Sequence, residues 1–216
     1  MKRTLLVVCV LALCNLMLFA QVRKRPRMVH TTEKSAIHVP PQEFPATLAR
    51  IYSNLGTKTD LYYDGTGWFV GGPNGTYSMG FFALPFIPKS DSHVLAVGAA
   101  LQYSSGANQV NLSIYADSAG APGTLLAGPV TVVNLPSVGT CCSLAVARFP
   151  SVAVSGGTQY WVVADTPLTG TGSDFEGAWD FVAKPTYPLA ADTGYGWYGW
   201  TDLTSVPAGE VIGTIP

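Results

Sequence analysis

"SIYADSAGAPGTLLAGPV", residues 113–130, decides the class of this chain. In the overlapping run "QVNLSIYA" (109–116), Val110, Leu112 and Ile114 alternate with Asn111, Ser113 and Tyr115. That period of two sets apolar side chains on one face of a strand and polar ones on the other. The run reads as a half-buried strand with the first three side chains inward and the other three outward. A cluster of small residues then interrupts it before a second apolar run begins at Leu125. Asp117 and Ser118 are suited to Asx and Ser turns, Gly120 tolerates positive φ, and Pro122-Gly123 fits the centre of a type II turn. A calcium loop would need several converging oxygens. Locally the cluster offers only Asp117, Ser118 and backbone carbonyls, so it is a turn between two strands.

The same period recurs outward from this hairpin. In "HVLAVGAALQY" (93–103), Leu95, Val97, Ala99, Leu101 and Tyr103 fall on one face. "TLLAGPVTVVNL" (124–135), "LAVARFPSVAV" (144–154) and "TQYWVVADT" (158–166) supply further strands, bounded by Gly, Pro, Asn or Ser. Short strands separated by turns, with no helical spacers, predict an all-β domain over 51–216, an antiparallel β-sandwich of jelly-roll-like form. About 165 residues suffice for one domain burying roughly 70% of its unfolded surface.

The first fifty residues have another character. Lys2 and Arg3 precede an apolar run from Leu5 to Phe19 that ends at Ala20, the pattern of an export signal over 1–20. Leu18 is bulky for a cleavage site, and the basic "VRKRPR" (22–27) resists translocation, so an uncleaved anchor helix is the second reading. Residues 21–50 hold most of the remaining bases and three prolines between 40 and 45. They read as a linker in which "PATLAR" (45–50) is compatible with a helical turn.

The overall charge of −1 conceals a partition. From residue 51 onward four bases (Lys58, Lys89, Arg148, Lys184) face eleven acids, a net −7. Such a surface argues against nucleic acid as a partner, because phosphate contacts need a basic face. Membrane contact would come only through an uncleaved N-terminal helix.

Catalytic templates are scarce. There is no Gly-x-Ser-x-Gly elbow, no His-Glu-x-x-His, and only one histidine, His93, after residue 50. His93 reads as a surface or strand-start residue. "GYGWYG" (194–199) has the letters of a dinucleotide fingerprint but lacks the following helix that would meet a pyrophosphate. Asp174, Glu176 and Asp180, near Trp179, admit three readings: solvated or turn-capping carboxylates, calcium ligands, or the acid pair of a carbohydrate-active hydrolase. The first carries most weight, and no catalytic residue is assigned.

Of four cysteines, Cys9 and Cys14 lie in the signal, leaving Cys141 and Cys142. Adjacent Cα atoms stand about 3.8 Å apart, close for a disulfide. The pair is either two thiols on opposite faces or a strained vicinal disulfide. Asn74 and Asn111 form glycosylation sequons, which would carry no consequence if the source is bacterial.

Aromatics give the strongest functional lead. Trp179, Tyr195, Trp197, Tyr198 and Trp200 crowd one region. In an extended strand Tyr195 and Trp197 share one face, Tyr198 and Trp200 the other, so one pair can fill the core while the other meets solvent. Exposed aromatics beside carboxylates suit stacking on sugar rings. Trp161 reads as structural.

Three segments in order, "SIYADSAGAPGTLL", "VSGGTQYWVVAD" and "YGWYGWTDLTSVPAGEVIGT", resemble the bacterial extracellular choice-of-anchor domains, most nearly the R type, over residues 76–214. The resemblance implies a secreted or cell-surface sandwich and carries over no catalytic residue. Such proteins usually end in a sorting signal, whereas this sequence ends "IGTIP". The expectation is a non-catalytic module for extracellular recognition or attachment, with a polysaccharide or surface protein as partner and no cofactor unless calcium. The alternatives are an inert structural or matrix spacer and, with less support, a carbohydrate-active hydrolase.

Overall fold

The computed structural model describes residues 26–30, 47–56 and 61–216. They form thirteen strands: β1 (Met28–His30), β2 (Ala49–Ser53), β3 (Tyr63–Gly71), β4 (Phe81–Phe86), β5 (Ser92–Ala99), β6 (Leu101–Ser105), β7 (Gln109–Ser118), β8 (Ala121–Val133), β9 (Ala145–Val154), β10 (Tyr160–Asp165), β11 (Glu176–Asp192), β12 (Tyr198–Pro207) and β13 (Gly209–Thr214). There is no helix among the described residues. The chain is all-β, as its β-branched and aromatic content and its Gly, Pro and Ser punctuation require. The signal or anchor over 1–20 lies outside the described residues. Within the stretch read as linker, Met28–His30 pairs with β3 and Ala49–Arg50 opens β2. The last two positions of "PATLAR" are therefore extended.

Two antiparallel sheets result. One has nine strands, with the order β1-β3-β11-β4-β10-β7-β8 and with β6 and β12 also paired to β11; the other is β2-β13-β5-β9. The long β11 explains the branching. Its first residues pair with β3 and β6, its last with β4 and β12.

Two strands change sheet side by side. The run 92–105 leaves the small sheet at Ala100 to become β6, and the run 198–214 leaves the large sheet at Ala208 to become β13. Around this corner the Ala100 N–H donates to Ala208 O (3.0 Å), the Ala208 N–H to Asp180 O (2.8 Å), and the Asp180 N–H to Ala100 O (2.9 Å). Buried Asn54 braces it, donating from Nδ2 to Pro207 O (2.8 Å) and accepting from the Gly209 N–H (2.8 Å). Such sheet-switching strands need every backbone group satisfied as they turn.

One hydrophobic cluster contains Phe82, Leu84 and Phe86 of β4, Leu112 and Ile114 of β7, Val162 of β10 and Leu189 of β11, together with Val94, Val97 and Val211 of the small sheet. Each such side chain contributes about 1.5–3 kcal/mol when fully buried. Alternation predicts the inner face of β7 correctly, Val110, Leu112 and Ile114. It fails on the outer face, where Asn111 and Ser113 are buried as well. It also fails in β5, where Val94 and Val97 both reach the core. Against β13 the register slips between Val94 and Ala96, and this bulge at Leu95 inverts the alternation.

The hairpin between β7 and β8 turns at Ala119-Gly120, with Ser118 opposite Ala121. Both turn residues have positive φ, 54° and 82°. This is the signature of the two-residue type I′ turn, whose twist matches the strands it joins. Pro122-Gly123, expected at the centre of a type II turn, instead lies within β8. Pro is tolerated there because β8 is the edge strand of the large sheet.

Candidate functional site

The outer face of the large sheet carries a second, smaller apolar cluster: Ala83, Trp161, Val163 and Ala190, with Tyr115, Ala121 and Trp197 packed against it. Asp117 ties this cluster to the hairpin turn. Its Oδ1 accepts from the Trp161 indole N–H (2.7 Å) and from Gln159 Nε2 (2.8 Å), while Oδ2 accepts from the Gly120 N–H (3.3 Å). The turn residue is thus also the partner that a buried indole needs.

The aromatic segment folds against the same place. Gly199 packs on the turn so closely that a Cβ there would stand 2.5 Å from Gly120 O. Before it, Asp192 Oδ1 accepts from the Gly194 N–H (2.8 Å) and the Gly196 N–H (3.1 Å), folding 192–197 into a braced tip between β11 and β12. Tyr195 stands on that tip, 62% exposed. Trp197 is half-buried on the outer cluster. On the opposite side Tyr198 lies in the main core, edge-on to the half-buried Trp200 with ring centroids 5.4 Å apart. The indole N–H of Trp200 is buried with no hydrogen-bond partner among the described residues. Trp179 is fully buried at the sheet-switching corner and donates from Nε1 to Ala208 O (2.9 Å). Of the five aromatics singled out from sequence, Tyr195 alone is exposed, Trp197 and Trp200 are half-buried, and Trp179 and Tyr198 are core.

The three carboxylates do not converge. Asp174 is exposed and caps a turn by accepting from the Ala107 N–H (3.2 Å). Glu176 is buried, accepting from the Tyr77 N–H at Oε1 (2.8 Å) and from Ser105 Oγ at Oε2 (2.6 Å). Asp180 is fully buried at the corner. Reading the three as solvated or turn-capping therefore holds for Asp174 and gives way to burial for the other two. Among the described residues no three His, Cys, Asp or Glu side chains form a group that could hold a metal ion.

The carboxylate with a displaced titration is one that sequence reasoning did not single out. Asp165 lies beside Asn111, whose Oδ1 accepts from Thr131 Oγ1 (2.9 Å). Burial pushes its carboxyl up to about 6, against the pull of the Asn111 hydrogen bond. Burial, aided by the charge of Asp165, raises the Tyr115 phenol above its usual 10.0. The signal for this group was the polar triplet Asn111, Thr131 and Asp165 on three strands, visible only once registers are known.

His93 is an exposed residue near the start of β5, its Nδ1 2.9 Å from Ser151 Oγ. Cys141 and Cys142 are joined as a vicinal disulfide, with Cys142 in the main core. Asn74 is exposed; Asn111 is not.

Fold and surface together define an all-β protein of two antiparallel sheets with a braced aromatic tip. No family model matches the chain, and no curated protein matches it.

Proposed function

We propose that this chain is a secreted or cell-surface, non-catalytic module of the choice-of-anchor kind, a jelly-roll-like β-sandwich that serves extracellular recognition or attachment by holding a glycan. The observation that carries the reading is the Asp192-braced tip, which presents Tyr195 to solvent above half-buried Trp197. A rigid loop with a solvent-facing aromatic is the usual way a β-scaffold offers a binding surface. The engagement of both Glu176 oxygens in hydrogen bonds supports the non-catalytic part of the reading. The shared cluster of inner-face residues from both sheets supports the sandwich.

The test is retention of the full chain on a panel of insoluble polysaccharides, beside the Tyr195→Ala variant. Retention on at least one polymer is expected, unaffected by EDTA and lost in the variant without a change in melting temperature. Retention on none would remove the glycan-binding reading.

A second reading, an inert structural spacer, is favoured by the burial of Trp179 and Tyr198. It predicts no retention on any polymer and no effect of Tyr195→Ala.

A further inference from the structure

The two sheets are unequal, nine strands against four, and the small one ends at β2. Beside that edge lies an open cavity of about 600 Å³, lined by Arg50, Ile51, Tyr52 and Ser53 of β2 and, from the large sheet and its loops, by Pro85, Phe86, Ile87, Lys89, Gln159 and Pro188. Its volume lies in the range of small-molecule sites.

The chemistry of the lining is selective. Among the described residues no carboxylate lines the cavity. Yet from Thr47 onward the described basic side chains are Arg50, Lys89 and Arg148, and two of the three are there. The segment from Thr47 onward carries five bases against eleven acids, a net −6, so that placement gathers scarce cationic groups at one cavity. The Arg50 Nε donates to buried Glu210 Oε2 (2.8 Å), which fixes the side chain while using one of the five guanidinium donors. Lys89 is exposed and forms no ion pair among the described residues. In the same lining the Tyr52 and Phe86 rings meet at 6.2 Å and a 49° tilt, and Ile87 is half exposed.

We infer that this cavity binds a carboxylate-bearing sugar ring, a uronic acid unit, with its carboxylate met by Lys89 and Arg50 and its apolar ring face on Tyr52 and Ile87, Phe86 backing Tyr52 from the core. An anion is favoured by Lys89, which forms no ion pair among the described residues, by the guanidinium donors that Arg50 keeps beyond its bond to Glu210, and by the lack of any acid among the described lining residues. A ring is favoured by the aromatic and aliphatic floor, since an inorganic anion would leave that surface unused. The inference deepens the glycan reading and rests on it for the choice of a sugar over other ring carboxylates. None of its residues belongs to the aromatic tip.

The experiment titrates the full chain with D-glucuronate, D-glucose and benzoate, followed by calorimetry and by amide shifts in NMR. Glucuronate is expected to bind and to move the amides of residues 50–53, 87 and 89. Glucose and benzoate should bind at least about tenfold more weakly. Lys89→Glu, at an exposed position that does not endanger the fold, should weaken glucuronate about tenfold or more, and added salt should weaken it in the unchanged protein. Equal binding of glucose, equal binding of benzoate, unchanged affinity in Lys89→Glu, or no binding at all would each overturn the inference. Retention on a neutral polymer that is lost in Tyr195→Ala but kept in Lys89→Glu would preserve the tip as a binding site while rejecting the cavity. Glucuronate binding without retention on any polymer would reject the tip while supporting the cavity.

Discussion

Replacing Asp165 by Asn removes one charge at nearly constant shape and leaves an amide that can still meet Asn111. Burial raises the carboxyl from its ordinary 3.8 to about 6. In the unfolded chain the group is therefore mostly ionised above pH 4, while in the fold it holds its proton until about pH 6. The folded state binds the extra proton, so this group's contribution to stability falls as pH rises from about 4 to 6 and is level above that. The full cost of holding the ionised group is about 3 kcal/mol at neutral pH. Asp165 is half-buried, and local relaxation and the Asn111 hydrogen bond return part of that. The expected gain for Asp165→Asn is about 1–3 kcal/mol at pH 7.5, shrinking toward zero at pH 4. Urea unfolding of both proteins at pH 4, 5, 6 and 7.5 measures it. Subtracting the two curves cancels the other carboxylates, which titrate in both. The Tyr115 phenol should also fall back toward its usual range in the variant, because the Asp165 charge that helps to raise it is gone. A difference that is constant across pH, or a variant less stable than the parent at pH 7.5, would refute the reasoning.

Three further substitutions, at two positions, probe the hairpin between β7 and β8. Asp117→Ala strands the Trp161 indole N–H and uncaps Gly120. It should cost about 1–3 kcal/mol and shift Trp fluorescence to the red; an unchanged urea midpoint would show that the Asp117 contacts contribute nothing. Ala119 holds φ 54°, a region costing an L-residue roughly 1–2 kcal/mol. Ala119→Asn creates the Asn-Gly pair that a type I′ turn prefers and should raise the melting temperature by about 2–4 °C. Ala119→Val should lower it, and a neutral result for both would remove the strain argument.

Strands β7 to β10 were legible because each is a run rich in β-branched and apolar residues between clear breakers, and "QVNLSIYA" gave its inner face residue by residue. What was not legible lies in relations between strands. Nothing local to "VGAALQY" announces that Ala100 passes from one sheet to another, since the turn is stabilised by Ala208 and Asp180 far along the chain. The bulge at Leu95 is a register event with no composition of its own. Asn111 and Ser113 look like solvent-facing residues until β8 and the outer cluster are in place. The division of faces within the aromatic segment was visible, with Trp197 on the outer cluster and Tyr198 in the core. The burial of Trp179 was not, because it depends on the corner. Arg50, Lys89 and Tyr52 carry no joint signal in the sequence, being spread over forty positions, with Arg50 and Tyr52 on β2 and Lys89 in the loop between β4 and β5.

The position of β13 sets a timetable. It lies between β2 and β5, hydrogen-bonded to both, and Gly209 meets Asn54 across 155 positions of chain. At ordinary elongation rates β2 leaves the ribosome roughly 10 to 30 s before its partner exists. Throughout that interval the small sheet has a gap at its centre, and Val94 and Val97 lack the Val211 that will share their cluster. The 13-residue β8 meanwhile carries no charged side chain to discourage pairing with strangers. The nascent chain must therefore be shielded or kept extended until residue 214 is made, and the small sheet closes only once β13 has emerged.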